Sequence, residues 1–417
     1  MGFFDRDLWA EVFSTLTKNM VRTALTTLGV LFAVVILIML LGTTNGMKNG
    51  FDKLFTGTAT NSLFVWGQRT GKPYKGFERG RRISYTFDDV NMLKENVPEI
   101  DILSPRIQLG NYRGIVSVTR NGRSSGSSVY GDFPTFDQIN KQNLYEGRFI
   151  NEDDITHRRK ICVIGTETYK LLYKKDEDAI GTYINVNGVY FQVVGVFRRS
   201  KGVNFSGENT VYVPFTTYQK AFNSGNQVGW MAISIKAGKK TAVALQKIKK
   251  LLKKKHSVHP KDTRAIGSFD LSQIFTAISA FTMVLQGFSF FIGIFTLLAG
   301  VIAISNILLI TVKERTKEIG IRRALGATPK VIKKQIILEA LVLTLFSGLV
   351  GFVISIGALH YLDVKFGDSD YPFVNPSVSF GQLIATFTLM LLLSLLIGLI
   401  PANRAVKIKP IEALREE

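Results

Sequence analysis

The chain has 417 residues, 46% of them hydrophobic, and a formal net charge of +20. Its apolar residues are concentrated in four long blocks separated by polar segments, which indicates a membrane protein rather than a set of soluble domains. The positive charge alone would suit a nucleic-acid-binding protein. The sequence contains neither a zinc-finger spacing nor an aromatic RNA-binding motif, so nucleic acid is not an expected partner.

Residues 1–20 place Phe4, Leu8, Val12 and Leu16 at a spacing of four. This spacing predicts an amphipathic helix that lies in the membrane interface. The next block, 21–44, is long enough to be transmembrane helix 1. Its apolar core exceeds the length of a signal-peptide h-region and no small-x-small cleavage site follows, so we expect it to remain in the mature chain.

The polar segment 45–278 is predicted to be an α+β domain that begins and ends in stalk helices. Most of it alternates short β-rich runs with turn residues. The strongest local signal is a hairpin at 183–197 around Asn187-Gly188, a dipeptide typical of tight hairpin turns. The other predicted pieces are helices at 87–96, 166–174 and 241–255, strands at 61–66, 211–213 and 232–236, and a linker at 256–270.

Several polar residues of this segment could be mistaken for a chemical site. Asp153-Asp154 are expected to be solvated or to form a surface ion pair in a polar loop, and His256 and His259 are expected to lie in a solvated turn. Cys162 is the single cysteine of the chain and is expected to be a buried small hydrophobe, so no intrachain disulfide can form. No catalytic residue and no metal site are therefore assigned.

The cations of the same segment are spread over 69–82 and the helical face 247–255. A basic domain on the outer side of a membrane is expected to meet anionic lipid head groups or acidic partner surfaces.

Three further apolar blocks, 279–312, 336–360 and 380–401, are predicted to be transmembrane helices 2, 3 and 4. They enclose the loop 313–335 and the short loop 361–379, and the tail 402–417 follows. The first loop is rich in cations: Lys313, Arg315, Lys317, Arg322, Arg323, Lys330, Lys333 and Lys334.

The loop 361–379, by contrast, carries the single cation Lys365. The positive-inside bias therefore places loop 313–335, both termini and the tail in the cytoplasm, and 45–278 outside. The predicted fold class is a membrane protein with four transmembrane α-helices and a large α+β domain inserted between helices 1 and 2.

Within the cytoplasmic loop, Gly326 suits a helix C-terminal cap, Thr328 an N-cap and Pro329 the first position of the next helix. The loop is thus expected to hold a short amphipathic helix at the membrane face. Glu339, about one turn inside span three, is an intramembrane carboxylate for which helix packing, snorkelling and proton transfer all stay open. Small residues in spans one and three permit close helix contacts, compatible with dimerisation: Gly29, Ala33, Gly348 and Gly351.

Three sequence segments carry a resemblance to a known family. The residues 307–329, with Glu318-Ile-Gly-Ile-Arg322 at their centre, closely resemble the permease signature of the MacB/FtsX superfamily of ABC transporters. The segment 401–415 is similar to that family's C-terminal tail. Glu146-Gly-Arg-Phe149, 163–165, 180–181 and 191–196 look like the MacB-type periplasmic core, and the resemblance favours the MacB branch.

The resemblance implies the permease subunit of a MacB-type ABC transporter, in which ATP hydrolysis on a cytoplasmic ATPase drives conformational change of the periplasmic domain. Ile319, Ile321 and Leu325 would be the apolar contacts to the ATPase, with Glu314, Arg322 and Arg323 as charged rim. The complete set of ATPase-coupling residues that it implies is Glu314, Arg315, Glu318, Ile319, Gly320, Ile321, Arg322, Arg323, Leu325 and Gly326.

The same resemblance implies an inner-membrane location and several partners: a cytoplasmic ABC ATPase, a second permease copy, membrane lipid, and a periplasmic adaptor with an outer-membrane channel. MacB carries its ATPase at the N-terminus, whereas the chain has no Gly-x-x-x-x-Gly-Lys-Ser/Thr motif and only residues 1–20 precede span one. The ATPase, with ATP and magnesium, is therefore expected on another polypeptide, and this chain is expected to be no enzyme and to hold no cofactor. The expected output is efflux of a peptide, drug or lipid-linked substrate, with an FtsX-like scaffold that activates a periplasmic hydrolase or sensor as the alternative.

Overall fold

The structure of the chain is a computed structural model that describes residues 20–110, 114–175, 177–198, 206–367 and 373–407. The amphipathic helix predicted at 1–20 and the tail beyond 407 lie outside the described residues. The chain divides into an α+β unit, Asp52–Ile278, and a helical unit made of Met1–Phe51 and Ser279–Glu417.

The strands of the α+β unit are short and follow one another along the chain. They are β1 (Ser62–Gly67), β2 (Tyr85–Thr86), β3 (Ile100–Gln108), β4 (Val116–Arg120), β5 (Arg123–Asp132), β6 (Asn143–Gly147), β7 (Ile161–Gly165), β8 (Tyr183–Val186), β9 (Val189–Arg198), β10 (Thr210–Pro214), β11 (Gln227–Val228), β12 (Trp230–Ile235) and β13 (Ile266–Asp270).

Four helices are long, the short helix Thr316–Ala324 lies between two of them, and the other short helices belong to the α+β unit. In chain order the helices are α1 (Met20–Leu54), α2 (Phe87–Asn96), α3 (Thr135–Ile139), α4 (Glu152–Thr156), α5 (Thr166–Leu172), α6 (Phe215–Ala221), α7 (Thr241–Lys255), α8 (Leu271–Glu314), α9 (Thr316–Ala324), α10 (Pro329–Phe366) and α11 (Phe380–Val406).

The α+β unit is built on one continuous sheet in the order β10-β7-β9-β8-β4-β5-β3-β12-β1-β13, with β6 paired to β9. Strand β10 also pairs in parallel with β5, so six strands close into a ring. Strand β3 joins the two parts, because Ile107 and Gln108 pair with β5 while the preceding residues pair with β12. Beyond it, β12, β1 and β13 form an antiparallel sheet.

The predicted hairpin is confirmed, since β8 and β9 pair antiparallel with Val186 opposite Val189. Asn187 and Gly188 both have positive φ, at 49° and 89°, as a two-residue type I′ turn requires. The predicted helices at 87–96 and 241–255 are confirmed as α2 and α7, and the predicted burial of Cys162 is confirmed.

Three expectations for this unit were wrong. The linker predicted at 256–270 ends in strand β13, which pairs with β1 from Ile266 opposite Gly67 to Asp270 opposite Leu63. Its half-polar sequence gives no local strand signal, so the pairing is a tertiary effect. Asp154 forms an ion pair, but its side chain is fully buried rather than solvated or at the surface. It caps helix α4 and binds Arg148 bidentately at 2.6 and 3.0 Å.

Another local expectation also failed, because His256 does not lie in a solvated turn. Its Nε2 is 2.9 Å from an oxygen of the buried Asp89, and its ring contacts Tyr85. The partners come from α2 and from β2, more than 160 positions away in the sequence, which is why the histidine spacing alone could not reveal them.

In the helical unit, four helices are long and apolar enough to cross a membrane among the described residues: Thr27–Leu54, Leu271–Glu314, Pro329–Phe366 and Phe380–Val406. The predicted spans 279–312, 336–360 and 380–401 fall inside the last three of these helices, and the predicted span 21–44 overlaps the first from Thr27 onward. The membrane boundaries stay a prediction. The fold class, four such helices with an inserted α+β domain, is confirmed.

Small residues let these helices approach closely within the chain. A Cβ atom at Gly300 would lie 3.1 Å from the carbonyl oxygen of Gly29, and one at Gly351 would lie 3.0 Å from that of Leu31. Two of the glycines that sequence reasoning associated with dimerisation, Gly29 and Gly351, therefore serve contacts between α1, α8 and α10.

Candidate functional site

The predicted cytoplasmic loop begins with a break in the long helix α8. Arg315 leaves helical geometry at φ −94° and ψ 15°, and the short helix α9 starts at the next residue. The first turn of α9 is closed by the Ile319 N–H, which donates to the Arg315 carbonyl at 3.0 Å. The chain thus changes direction with little loss of backbone hydrogen bonding.

Helix α9 ends in a Schellman motif. The Ala327 N–H donates to the Arg322 carbonyl at 3.0 Å and the Gly326 N–H donates to the Arg323 carbonyl at 3.2 Å. Gly326 has φ +102°, a conformation that residues with a Cβ rarely adopt. The predicted cap at Gly326 and the helix start at Pro329 are confirmed. Thr328 occupies the N-cap position, but its side chain makes no capping hydrogen bond.

One face of α9 packs on a small apolar cluster of the helical unit. Ile319 contacts this cluster and is half-buried, and the adjacent Gly320 is buried. The cluster is formed by side chains of α8, α10 and α11: Val312, Ile332, Ile336, Ala402 and Ala405. Helix α9 is therefore fixed to the ends of three long helices.

Arg315 anchors the start of α9 by charge. Its Nε lies 3.3 Å from a Glu318 oxygen, and its Nη1 lies 3.5 Å from a carboxylate oxygen of Glu339 on α10. The Glu339 side chain is only 5% exposed, so this contact supplies a counter-charge to a buried carboxylate. The ion pair joins the loop directly to span three.

Arg322 and Arg323 anchor the end of α9. Arg322 binds Glu318 at 2.8 Å and donates to the Gln335 amide oxygen at 3.4 Å. Arg323 donates to the Val406 carbonyl at the end of α11 at 2.8 Å. Both arginines, predicted as rim charges for a partner, therefore also bind within the chain.

The opposite face of α9 is exposed although it carries apolar side chains. Leu325 is 84% exposed and Ile321, one turn earlier, is 47% exposed. Glu314 and Glu318 are exposed as well. The structure thus divides the predicted coupling residues into an anchoring set, which includes Ile319 and Gly320, and an outward set.

Sequence reasoning missed three anchoring groups. It noted Glu339 but not its pairing with Arg315, and it named neither Gln335 nor the Val406 carbonyl. Gln335 lies 13 positions from Arg322 on the following helix, so the helical hairpin alone could have suggested it. A backbone carbonyl 83 positions away carries no sequence signal.

Comparison with protein-family models assigns both parts of the chain. The model of the MacB-like periplasmic core domain matches residues 23–251, which is more than half of the chain. The chain belongs to the MacB/FtsX family of ABC transporter permeases. The model of the FtsX-like permease C-terminal region matches residues 290–410, which include α9 and its anchors. The chain is accordingly a multi-pass membrane protein of a permease family.

Similar proteins bear export names. The macrolide export ATP-binding/permease protein MacB of Bdellovibrio bacteriovorus is 29% identical over 97% of this chain and 61% of its own length. The pyoverdine export ATP-binding/permease protein PvdT of Pseudomonas syringae pv. syringae is 28% identical over 96% and 58%. This permease thus spans about three-fifths of the length of these relatives.

A solved structure of the periplasmic region of MacB from Actinobacillus actinomycetemcomitans is also similar. It is 19% identical, with a TM-score of 0.43, and the match covers 54% of this chain and 95% of that one.

Proposed function

We propose that this permease couples ATP hydrolysis on a cytoplasmic ABC ATPase to conformational change of its α+β unit, and that this motion drives efflux of a peptide, drug or lipid-linked substrate. In this proposal the α+β unit lies in the periplasm, both termini lie in the cytoplasm, and the spans cross the inner membrane. Helix α9 is the coupling helix.

The observation that carries the proposal is the exposed apolar face of an anchored helix. Leu325 lies at the end of this short helix and is 84% exposed, and exposure of an apolar side chain to water is unfavourable. Burying such a side chain in a partner would contribute about 1.5–3 kcal/mol. Because Ile319 and the arginines hold the other face of α9, a partner that moves Leu325 would also move α8, α10 and α11.

ATP and magnesium are assigned to the partner. These 417 residues contain no P-loop motif, so they do not supply a nucleotide site of that kind. A second permease copy, a periplasmic adaptor and an outer-membrane channel complete the proposed assembly.

Site-specific photo-crosslinking tests the coupling helix. A photo-reactive amino acid at Leu325 of the tagged full chain, activated in native membranes, is expected to form an adduct with an ABC ATPase that mass spectrometry identifies. The same amino acid at Ile115, which is 72% exposed on the α+β unit, is the matched control and should not capture that ATPase. The absence of an ATPase adduct at both Leu325 and Ile321 would reject α9 as the coupling helix.

The same purification separates export from regulation. Co-purification of an adaptor with an outer-membrane channel supports efflux. Recovery of a periplasmic hydrolase or sensor in their place supports the alternative function, an FtsX-like scaffold. The match of residues 290–410 to the FtsX-like permease C-terminal region is the observation that favours this alternative.

A further inference from the structure

Four Asn-Gly dipeptides occur in the chain, at 45–46, 49–50, 121–122 and 187–188. This dipeptide is chemically labile, because glycine has no side chain that would keep its backbone nitrogen away from the asparagine side chain. That nitrogen can attack the side-chain carbonyl carbon, which forms a new C–N bond, breaks the bond to the side-chain nitrogen and releases ammonia. One water molecule then opens the resulting cyclic imide to aspartate or isoaspartate, and no oxidant, reductant or cofactor takes part.

The attack needs a free glycine nitrogen and a backbone that can rotate. A hydrogen bond donated by the glycine N–H must be broken before the nitrogen can react. The main chain must also leave regular helix or turn geometry to bring the nitrogen to the side-chain carbon. The structure therefore ranks the four dipeptides by how firmly each is held.

Two of the dipeptides lie inside helix α1. Gly46 and Gly50 are buried there, and in the interior of an α-helix each N–H donates to the carbonyl four residues earlier. The side-chain amides of Asn45 and Asn49 are held as well, since they donate to main-chain carbonyls of the segment that precedes α11, at 2.8 and 3.1 Å. Both reacting groups are thus fixed at these two positions.

The other two dipeptides, Asn121-Gly122 and Asn187-Gly188, form the turns of two closely matched hairpins. In β4–β5 and in β8–β9 alike, two residues separate the last paired residues of the strands. The asparagines have φ of 46° and 49° and the glycines φ of 78° and 89°, as type I′ turns require. All four residues are exposed, and a Cβ atom added to either glycine would meet no atom within 4 Å.

The two turns differ at the nitrogen that would attack. The Gly188 N–H donates to Oδ1 of Asn185 at 2.8 Å, and this hydrogen bond also holds the shape of the turn. In the first hairpin the corresponding position, two residues before Asn121, is Thr119. Among the described residues, which include all of β4 and β5, the Gly122 N–H has no hydrogen-bond acceptor.

We propose that Asn121 is a modification site, at which the folded chain deamidates faster than at the other three Asn-Gly positions. The reacting groups are the Asn121 side-chain amide, the Gly122 nitrogen and water. Either product replaces a neutral amide with a carboxylate, so the formal net charge of the chain falls by one. Isoaspartate also lengthens the main chain by one methylene group within a turn of two residues.

The modified turn would carry its new charge between two arginines that attach the hairpin to the segment after α5. Arg120 binds Glu177 at 2.7 Å, and Arg123 donates to the Tyr173 carbonyl at 2.6 Å. A carboxylate at position 121 would compete with Glu177 for the Arg120 guanidinium.

The test incubates the purified full chain in detergent at mildly alkaline pH and follows deamidation by peptide mapping with mass spectrometry. One digest reports all four sites, because conversion of an amide to a carboxyl group changes the mass of its peptide. Asn121 is expected to react at least about fivefold faster than Asn187, as loss of one hydrogen bond of ordinary net strength implies. The two asparagines of α1 are expected to react more slowly than Asn121 as well. In urea, where the α+β unit unfolds, the rates at Asn121 and Asn187 should become similar.

Two reciprocal variants test the hydrogen bond itself. Asn185→Ala removes the acceptor and is expected to raise the rate at Asn187 at least about fivefold, with the rate at Asn121 as the internal control. Thr119→Asn supplies an acceptor at the matching position and is expected to lower the rate at Asn121.

Three results would each overturn the proposal. The first is deamidation in the folded, unsubstituted chain that is no faster at Asn121 than at Asn187, a comparison that needs no variant. The second is a difference between these two sites that persists in urea, because it would then come from the neighbouring sequence rather than from the fold. The third is an unchanged rate at Asn187 in the Asn185→Ala variant.

Discussion

The α+β unit and the helical unit place their large apolar side chains differently. In the α+β unit, Phe191, Phe197 and Phe215 are fully buried in one connected core. In the helical unit, Phe288 on α8 and Leu396 on α11 are 60% and 63% exposed within the chain, as expected where lipid replaces water. The first unit thus completes its own interior, whereas the second depends on its surroundings.

The two units also use ion pairs differently. In the α+β unit, Arg106 and Asp132 are both fully buried and bind through two contacts, with the Arg106 guanidinium 3.6 Å from the centroid of the Phe136 ring. In the helical unit, Arg315 is partly exposed and contacts Glu339 at 3.5 Å. The first pair joins β3 to β5 inside the core, and the second fixes the start of the short helix α9 to α10. We therefore expect the largest stability effects in the α+β unit and the largest coupling effects in α9.

The strongest test of this contrast is Arg106→Ala. Removal of the guanidinium leaves Asp132 buried without its partner, which typically costs about 3–5 kcal/mol in the free energy of unfolding. Urea unfolding of the full chain in detergent, followed by tryptophan fluorescence, measures the loss. The double variant Arg106→Met with Asp132→Leu removes both charges and should lose much less. A loss below about 1 kcal/mol for Arg106→Ala would show that the pair does not lock this junction.

The variant Asp154→Asn tests whether the stability of the α+β unit depends on the ionised Asp154 carboxylate. The test measures how this stability changes with pH. Burial alone would raise the pKa of Asp154, but hydrogen bonds from Arg148 and the Asn151 N–H lower it below its ordinary value of about 3.9. The ionised form is therefore stabilised by folding, fully so above pH about 4, and this contribution is lost as the pH falls through the folded-state pKa.

We expect the Asp154→Asn variant to be about 1–3 kcal/mol less stable at neutral pH. The gap from the unsubstituted chain should narrow on acidification, and unfolding curves at several pH values measure it. A gap that stays constant with pH would assign the loss to packing rather than to charge.

Gly326→Ala tests how α9 is terminated. At φ +102° an alanine is strained by about 1 kcal/mol, although no neighbouring atom lies within 4 Å of the added Cβ. Faster hydrogen exchange of the amides of 316–324 is the expected result. Gly357→Ala is the matched control, since it also meets no neighbour but has helical geometry, and it should leave this exchange unchanged.

Leu325→Asp should have the smallest effect on stability and a large one on the proposed coupling. The side chain is 84% exposed, so the free energy of unfolding should change by less than about 0.5 kcal/mol. Affinity for the ATPase should fall at least tenfold, which corresponds to about 1.4 kcal/mol. Ile115→Asp, a similar change on the α+β unit, is expected to leave that affinity intact. Equal affinity of the two variants would contradict the division between an outward and an anchoring face of α9.

Local features explain where sequence reasoning succeeded. The hairpin at Asn187-Gly188 and the cap at Gly326 each depend on a backbone conformation that few residues adopt, so residue type alone is informative. Helix α7 follows from its apolar periodicity. The errors at His256 and β13 share another cause, since each is paired with residues distant in the sequence. Asp154 differs, because its partner Arg148 is six positions away and only the burial of the carboxylate was missed.

The candidate site shows the same division. Residue type and order predicted a short helix between two spans, and the resemblance of its sequence pointed to the permease family. They could not show that Ile319 packs inward while Ile321 and Leu325 remain outward, because this depends on the ends of α8, α10 and α11.

The amino-acid sequence by itself determined four spans, an inserted α+β domain and the turns and caps whose backbone geometry demands particular residues. Long apolar runs and positive-φ positions are local properties, so their consequences can be read along the chain. The tertiary structure alone decided that Arg106 is buried against Asp132 and that α9 is anchored through Glu339 and the Val406 carbonyl. Each of these depends on bringing together groups with no fixed separation in sequence, where burial and electrostatics act through space.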